Sequence, residues 1–112
     1  MAAGNIIDLA RRRLRVTALE RVRRVAALPS AISYGPRVND LEQARRVPIS
    51  SVWVCLEHGE ISDGQFFPDQ PDGIMMKLCV CAAGDRICVD LVLDRDDDKL
   101  LVMFVDREDE EC

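Results

Sequence analysis

Residues 74–106 read IMMKLCVCAAGDRICVDLVLDRDDDKLLVMFVD, which is three apolar segments separated by two groups of turn residues. Apolar side chains alternate with polar ones in the middle segment, at Ile87, Val89, Leu91 and Leu93. This period of two is typical of a β-strand that is buried on one face. The stretch therefore predicts consecutive antiparallel strands over 74–82, 86–93 and 99–106, with turns at 83–85 and 94–98.

The same period begins upstream, directly after Gly59. Residues 61–67 predict one more strand. The sequence Asp-Gln-Pro-Asp-Gly at 69–73 predicts the turn that follows, because proline presets φ and glycine accepts positive φ. The second half of the chain is thus expected to be a β-meander.

The first half has helical periodicity instead. Thr17-Ala18-Leu19-Glu20 has the form of a capping box and predicts a helix over 18–28 that ends before Pro29. A shorter helix or a mobile arm is expected over 6–15. Further along, the sequence predicts a short strand within 31–38, a short helix that starts at 39–42 and ends at Pro48, and a helix capped by Ser50 or Ser51 that ends at Gly59.

We predict an α+β fold in which the N-terminal helices pack on one face of a three- to four-stranded antiparallel β-meander. The chain of 112 residues has the size of one domain. We assign a basic arm or short helix to 1–16, the single domain to 17–106 and an acidic tail to 107–112. The expected core residues are Leu19, Val22, Val52, Leu56, Leu78, Val80, Val89, Leu91 and Phe104.

The charge divides into two blocks of opposite sign. Residues 1–56 hold ten Arg and four acidic residues, whereas 57–112 hold five Lys or Arg and sixteen acidic residues, so the halves carry +6 and −11. Such a division favours partner binding. The expected contact residues for an anionic partner are Arg11, Arg12, Arg13, Arg15, Arg21, Arg23 and Arg24. A solvated helix face, or neutralisation by the chain's own acidic tail, are the alternatives.

No apolar run approaches the roughly 20 residues of a membrane span, and the N-terminus lacks a secretory pattern. We therefore expect a soluble cytoplasmic protein with no membrane partner. The chain has five cysteines, an odd number, in apolar surroundings. They are expected to be reduced core thiols, and Cys79 and Cys81 to form no disulfide.

Three stretches resemble the RelE-like superfamily of toxin–antitoxin ribonucleases, and within it the MqsR-type and BrnT-type members and a related uncharacterised domain family. They are the helix at 17–28, the stretch VPISSVWVCLEHGEI at 47–61, and the meander with its Gly84-Asp85 turn. The resemblance spans about 17–106. It implies a RelE-like fold, metal-independent RNA cleavage and a cognate antitoxin. Two features depart from the pattern: residues 33–37 have no histidine, and the strands are rich in Asp and Glu.

His58 is the chain's single histidine. In metal-free RNA cleavage a histidine can move the proton of the 2′-hydroxyl or of the leaving oxygen. The candidate catalytic residues are therefore His58, Tyr34, Lys77 and Arg86. The alternative is that His58 only caps the C-terminus of its helix.

Two further sets of residues have metal-binding chemistry. Cys55, His58, Cys79 and Cys81 are zinc-type ligands, but neither pair has the spacing of a zinc knuckle. The acidic residues at 94–98 lack the spacing of a calcium loop. We therefore predict no metal and no cofactor.

Two hypotheses follow for the function. The first is a small RelE-like protein of a toxin–antitoxin type system, either an RNA-cleaving toxin or a degenerate relative that contacts RNA or an antitoxin. The second is a non-enzymatic acidic interaction module that binds a basic protein partner. The anionic strand half favours the second, and the resemblance favours the first.

Overall fold

The computed structural model describes the backbone of residues 2–38, 47–82, 84–96 and 99–108, and the side chains in these ranges other than residues 2–8 and 63. Helix α1 spans Ala2–Ala26, and helix α2 spans Ile49–His58. The strands are β1 Ile32–Tyr34, β2 Glu60–Gln70, β3 Gly73–Ala82, β4 Asp85–Asp94 and β5 Leu100–Glu108. The predicted helix start at 39–42 and residues 109–112 of the predicted tail lie outside the described residues.

The strands form one sheet in the order β1-β5-β4-β3-β2. Strands β2 to β5 are the predicted antiparallel meander. The predicted meander of up to four strands is confirmed, but the prediction that it makes up the whole sheet is wrong, because β1 adds a fifth strand parallel to β5. The N–H of Gly35 extends this edge by donating to the carbonyl of Val102 at 2.8 Å. The fold is therefore α+β with a mixed sheet.

Helix α1 is one continuous helix, whereas the sequence predicted a break before Thr17. A capping box stabilises a helix only where backbone N–H groups lack partners, at the start. Nothing between Asn5 and Leu28 is Gly or Pro, and Arg and Leu are good helix formers. Residues 2–16 of the predicted arm therefore continue directly into the helix that packs on the sheet.

Helix α2 begins two or three residues earlier than predicted, because Pro48 is at its N-cap rather than Ser50 or Ser51. It ends at Gly59, as predicted, where the Gly59 N–H donates to the carbonyl of Cys55 at 2.7 Å. The φ of Gly59 is −66°, so a left-handed conformation does not explain the glycine. A Cβ at this position would collide with the Cys55 carbonyl and press on Leu78, so close packing requires it.

Both helices pack on one face of the sheet, and the core lies between them. Six of the predicted core residues are fully buried, namely Val22, Val52, Leu56, Leu78, Val89 and Leu91. Leu19 and Val80 are partly buried against them. The core of a chain with few aromatic residues is thus built from Val and Leu.

Phe104 was wrongly assigned to this core. The register of β4 and β5 shifts between Asp90 and Leu91, so that Asp90 pairs with Phe104 and Leu91 pairs with Val102. Met103 is the extra residue of this β-bulge. The bulge allows Leu100, Val102 and Val105 all to be buried, and it turns Phe104 to the opposite face.

No helix in the described part of the chain has the length and apolar character that crossing a membrane requires.

Candidate functional site

We call the face of the sheet opposite α1 and α2 the open face. Among the described residues, the helical segment 36–38 borders this face through Arg37, which lines one of its grooves. The side chains of the open face form rows that run across the strands, because paired residues point to the same side. One row is apolar and contains Phe67, Met75, Val92 and Leu101. The next contains Lys77, Asp90 and Phe104. The third contains Glu60, Cys79, Cys88 and Asp106, and the fourth contains Cys81, Arg86 and Glu108.

The apolar row is partly open to solvent. Phe67 is 45% exposed and Leu101 39%, and the bulge residue Met103 beside them is 41% exposed. Two grooves run along this row. One of about 520 Å³ is lined by Phe67, Met75 and Phe104 among others, and one of about 540 Å³ by Val92 and Leu101. Exposed apolar side chains that lie together in this way are typical of a contact surface.

Asp90 lies in the centre of the open face and also lines the first groove. Its carboxyl group is half-buried. Burial raises the pKa of Asp90 above its ordinary value, Lys77 opposes this shift, and the nearby charge of Asp106 adds to it. A charged carboxylate at this position is therefore unfavourable for the isolated protein.

Carboxylates outnumber cations on the open face. The rows place Glu60, Asp90, Asp106 and Glu108 there, and Asp94 continues the same side of β4 beyond Val92. The cations in these rows are Lys77 and Arg86, and Arg86 forms an ion pair with Glu108 at 3.5 Å. Arg37 lines the first groove and Lys99 the second, where Asp72 and Asp94 lie beside it. The potential over this face is consequently negative.

The four candidate catalytic residues are divided between the two sides of the sheet. Tyr34 is on the helix side, where its hydroxyl accepts a hydrogen bond from Trp53 Nε1 at 2.9 Å. His58 ends α2, with its side chain 71% exposed and 3.7 Å from Glu57. Lys77 and Arg86 lie on the open face. The structure therefore brings Lys77 and Arg86 to one surface but does not bring them together with His58 or Tyr34.

The four candidate zinc ligands do not converge either. Cys55 is buried on the helix side, where its thiol donates to the carbonyl of Leu78 at 3.2 Å, and burial raises the pKa of Cys55 to about 12. Cys79 and Cys81 lie on the open face, and His58 points into solvent. Within the described ranges no three side chains of ligand type meet at one point.

Two expectations about the cysteines are corrected. Cys81 is disulfide-bonded, contrary to the prediction. Cys79 and Cys88 are free thiols, as expected, but they belong to the open face rather than to the core between helices and sheet.

The seven arginines of α1 have different surroundings. Three of them contact the body of the protein: Arg15 lies over the Phe66 ring at 5.9 Å, Arg21 donates to the carbonyl of Arg95 at 3.4 Å, and Arg23 donates to the carbonyl of Gly59 at 2.8 Å. The other four are exposed to solvent, namely Arg11, Arg12, Arg13 and Arg24. Only part of the predicted contact surface is therefore available as one exposed patch.

Lys77, Arg86, Cys79 and Cys81 were among the sequence-based candidates, but the apolar row and Asp90 were not. The signal was present, because the positions between the buried residues of β4 are Arg86, Cys88, Asp90, Val92 and Asp94. Listing the outward positions of each strand would have found them. The bulge that adds Met103 and Phe104 has no comparable signal.

Comparisons of this chain with models of protein families, with curated proteins and with solved structures give no match.

Proposed function

We propose that this protein is a non-enzymatic interaction module that binds a basic protein segment on its open face. The observation that supports this most directly is the apolar row, Phe67 to Leu101, which lies beside Asp90 and Asp94 and is not covered by a described element. A segment that carries both apolar and Lys or Arg side chains fits such a surface.

The sign of the charge decides which class of partner is favoured. A phosphate backbone would be repelled by the carboxylates of β4 and β5 within about 10 Å at 0.1 M salt. A basic segment would be attracted, and it would neutralise the unfavourable charge of half-buried Asp90. The apolar row would then supply contact area that is independent of salt. A cognate antitoxin with a basic, apolar segment would satisfy the same requirement.

The resemblance to RelE-like ribonucleases remains a prediction, and so does RNA cleavage. The position of His58 and Tyr34 on the other side of the sheet from Lys77 and Arg86 gives the cleavage hypothesis no shared site. Binding by the open face needs no such convergence, so it is the simpler account of these residues.

The proposal can be tested with two peptides of equal length in which Leu alternates with Lys or with Glu. Isotopically labelled protein is titrated with each, and the backbone amide signals are followed by NMR. We expect the Lys/Leu peptide to shift signals of Met75, Asp90 and Met103 and to leave those of α2 unchanged. Its affinity should decrease as salt increases, because the attraction is electrostatic.

A charge-matched pair of variants completes the experiment. Asp90→Asn with Asp94→Asn should weaken binding of the Lys/Leu peptide and reduce its salt dependence. Glu20→Gln with Glu57→Gln removes the same charge from exposed positions on the helices and should change neither. Equal binding of both peptides, or RNA cleavage that His58→Ala abolishes, would argue against the module.

A further inference from the structure

Two free thiols face each other on the open face. Cys79 on β3 and Cys88 on β4 are direct partners in the antiparallel ladder. Cys88 is buried and Cys79 is half-buried. Arg86 lies opposite Cys81 in the neighbouring row of the same face, so the two thiols interact electrostatically with each other and with its guanidinium group. The proposed protein-binding function makes no use of this arrangement.

The position of the pair in the ladder suits a disulfide bond. In an antiparallel ladder, hydrogen-bonded and non-hydrogen-bonded residue pairs alternate. Ala82 and Asp85 close a two-residue turn, so they form a hydrogen-bonded pair. Cys79 and Cys88, three pairs away, therefore form a non-hydrogen-bonded pair, for which the Cα atoms are about 4.5 Å apart. This separation lies within the range of about 4.4–6.8 Å that disulfides require.

We propose that Cys79 and Cys88 are a peroxide-reactive dithiol that closes a cross-strand disulfide. The thiolate of Cys79 attacks one oxygen of hydrogen peroxide, which breaks the O–O bond and leaves a sulfenic acid and hydroxide. The thiol of Cys88 then displaces the sulfenic oxygen as water, and the proton released by Cys79 converts the hydroxide to water. Overall, two thiols are oxidised to one disulfide and one peroxide is reduced to two waters.

The surroundings assign the order of the two steps. Cys79 is the more exposed sulfur, so it meets the peroxide first. Burial raises the pKa of Cys88 to about 12, the hydrogen bond with Cys79 adds to this shift, and Arg86 opposes it. Cys88 is therefore the resolving thiol. Arg86 is a positioning residue, because it lies in the neighbouring row of the same face and its charge is placed beside both sulfurs.

The test is peptide mapping of the full-length protein after treatment with hydrogen peroxide and alkylation of the remaining thiols. Trypsin cuts after residues 77, 86 and 95, so Cys79 shares the fragment 78–86 with the disulfide-bonded Cys81, and Cys88 lies in the fragment 87–95. We expect these two peptides to become linked in both the wild type and Cys81→Ser. The folding of Cys81→Ser is checked by circular dichroism. In Cys88→Ser, Cys79 should stop at the sulfenic acid, which dimedone traps.

Arg86→Gln should slow disulfide formation severalfold, and Arg86→Lys should restore part of the rate, because the positive charge favours the attacking thiolate. Arg86→Gln removes the tryptic site between the two cysteines, so its rate is measured from the loss of alkylation at Cys79 and Cys88 in the single fragment 78–95. An unchanged rate in Arg86→Gln would overturn the role given to that residue. A link that disappears in Cys81→Ser would overturn the proposed pair, as would Cys79 oxidised to a sulfinic acid while Cys88 is still alkylated.

Discussion

Asp90 is the residue at which stability and the proposed function conflict. It occupies an outward position of β4 between the side chains of Lys77 and Phe104, in a groove that half-buries its carboxyl group. Burial raises its pKa, and the charge of Asp106 raises it further against the effect of Lys77. An amide of the same shape would avoid the free-energy cost of holding a charged carboxylate at this half-buried position. A carboxylate at such a place is understandable if it binds a positively charged partner.

We predict that Asp90→Asn stabilises the isolated protein at neutral pH. The pKa of Asp90 is higher in the folded state than in the unfolded state. The protonated carboxyl group therefore contributes its full stabilisation below the ordinary pKa of about 3.9, and this stabilisation is lost as the pH rises through the pKa of the folded state. The gain in melting temperature over wild type should therefore be present at neutral pH and absent near pH 3. Asp69→Asn, at an exposed position of β2, should show no gain. A lower melting temperature for Asp90→Asn at neutral pH would contradict this assignment.

A second prediction at this scale tests the two faces of the sheet. Leu91 is 1% exposed beneath the helices, so Leu91→Ala should lower the free energy of unfolding by about 2–5 kcal/mol. Phe104→Ala removes a larger side chain, but from the open face, and should have the smaller effect. Chemical denaturation of both variants measures this difference. A larger loss for Phe104→Ala would mean that the bulge at Met103 is wrongly placed.

At the scale of elements, the strands were more predictable than the helices. The strands of the meander follow from alternation and from turn residues, and Gly84 has a φ of +86° at the turn predicted for it. The predicted break in α1 was wrong, because a capping-box sequence in the middle of a helix does not end that helix. The pairing of β1 with β5 could not be predicted, since three residues carry no information about their partner strand. The placement of Met103 and Phe104 on the open face depends on the β-bulge. The bulge is determined by packing between strands rather than by local sequence, so it could not be predicted.

Helix α1 combines two parts with different surroundings. Its second half packs on the core through Ala18, Val22 and Val25. Its first half is exposed, with Leu9 at 53% and Val16 at 58%. The arginines follow the same division, because Arg23 bonds to the backbone of the body whereas the run 11–13 is in solvent.

We therefore predict opposite outcomes for two sets of Arg-to-Ala changes. Replacing Arg11, Arg12 and Arg13 should leave the free energy of unfolding within about 0.5 kcal/mol of wild type and reduce retention on heparin. Arg23→Ala removes a part-buried donor to the carbonyl of Gly59 and should destabilise by about 1 kcal/mol. Unfolding curves and heparin chromatography of the same samples provide both readings. Unchanged heparin retention in the triple variant would rule out that Arg11, Arg12 and Arg13 contact an anionic partner.

At the scale of the whole molecule, the exposed arginines of α1 and the carboxylates of β4 and β5 lie on different surfaces. The exposed arginines project from α1, which belongs to the helix layer, whereas the carboxylates of β4 and β5 lie on the opposite face of the sheet. The protein therefore presents a cationic helix on one side and an anionic sheet on the other. The exposed half of α1 carries the positive charge and the apolar side chains that the open face would bind. A second copy of the protein could therefore bind there, and a binding experiment must distinguish this self-association from capture of another protein.

The central claim is that the open face is the binding surface, and site-specific photocrosslinking in the native host tests it most directly. A photoreactive residue is placed at Met103, 41% exposed on the open face, or at Val54, 37% exposed on α2. We predict a discrete product from Met103 and none from Val54. The captured protein should be basic, and its affinity for the purified protein should fall with salt and in Asp90→Asn with Asp94→Asn. Products from Val54 alone, or RNA as the captured species, would contradict the claim.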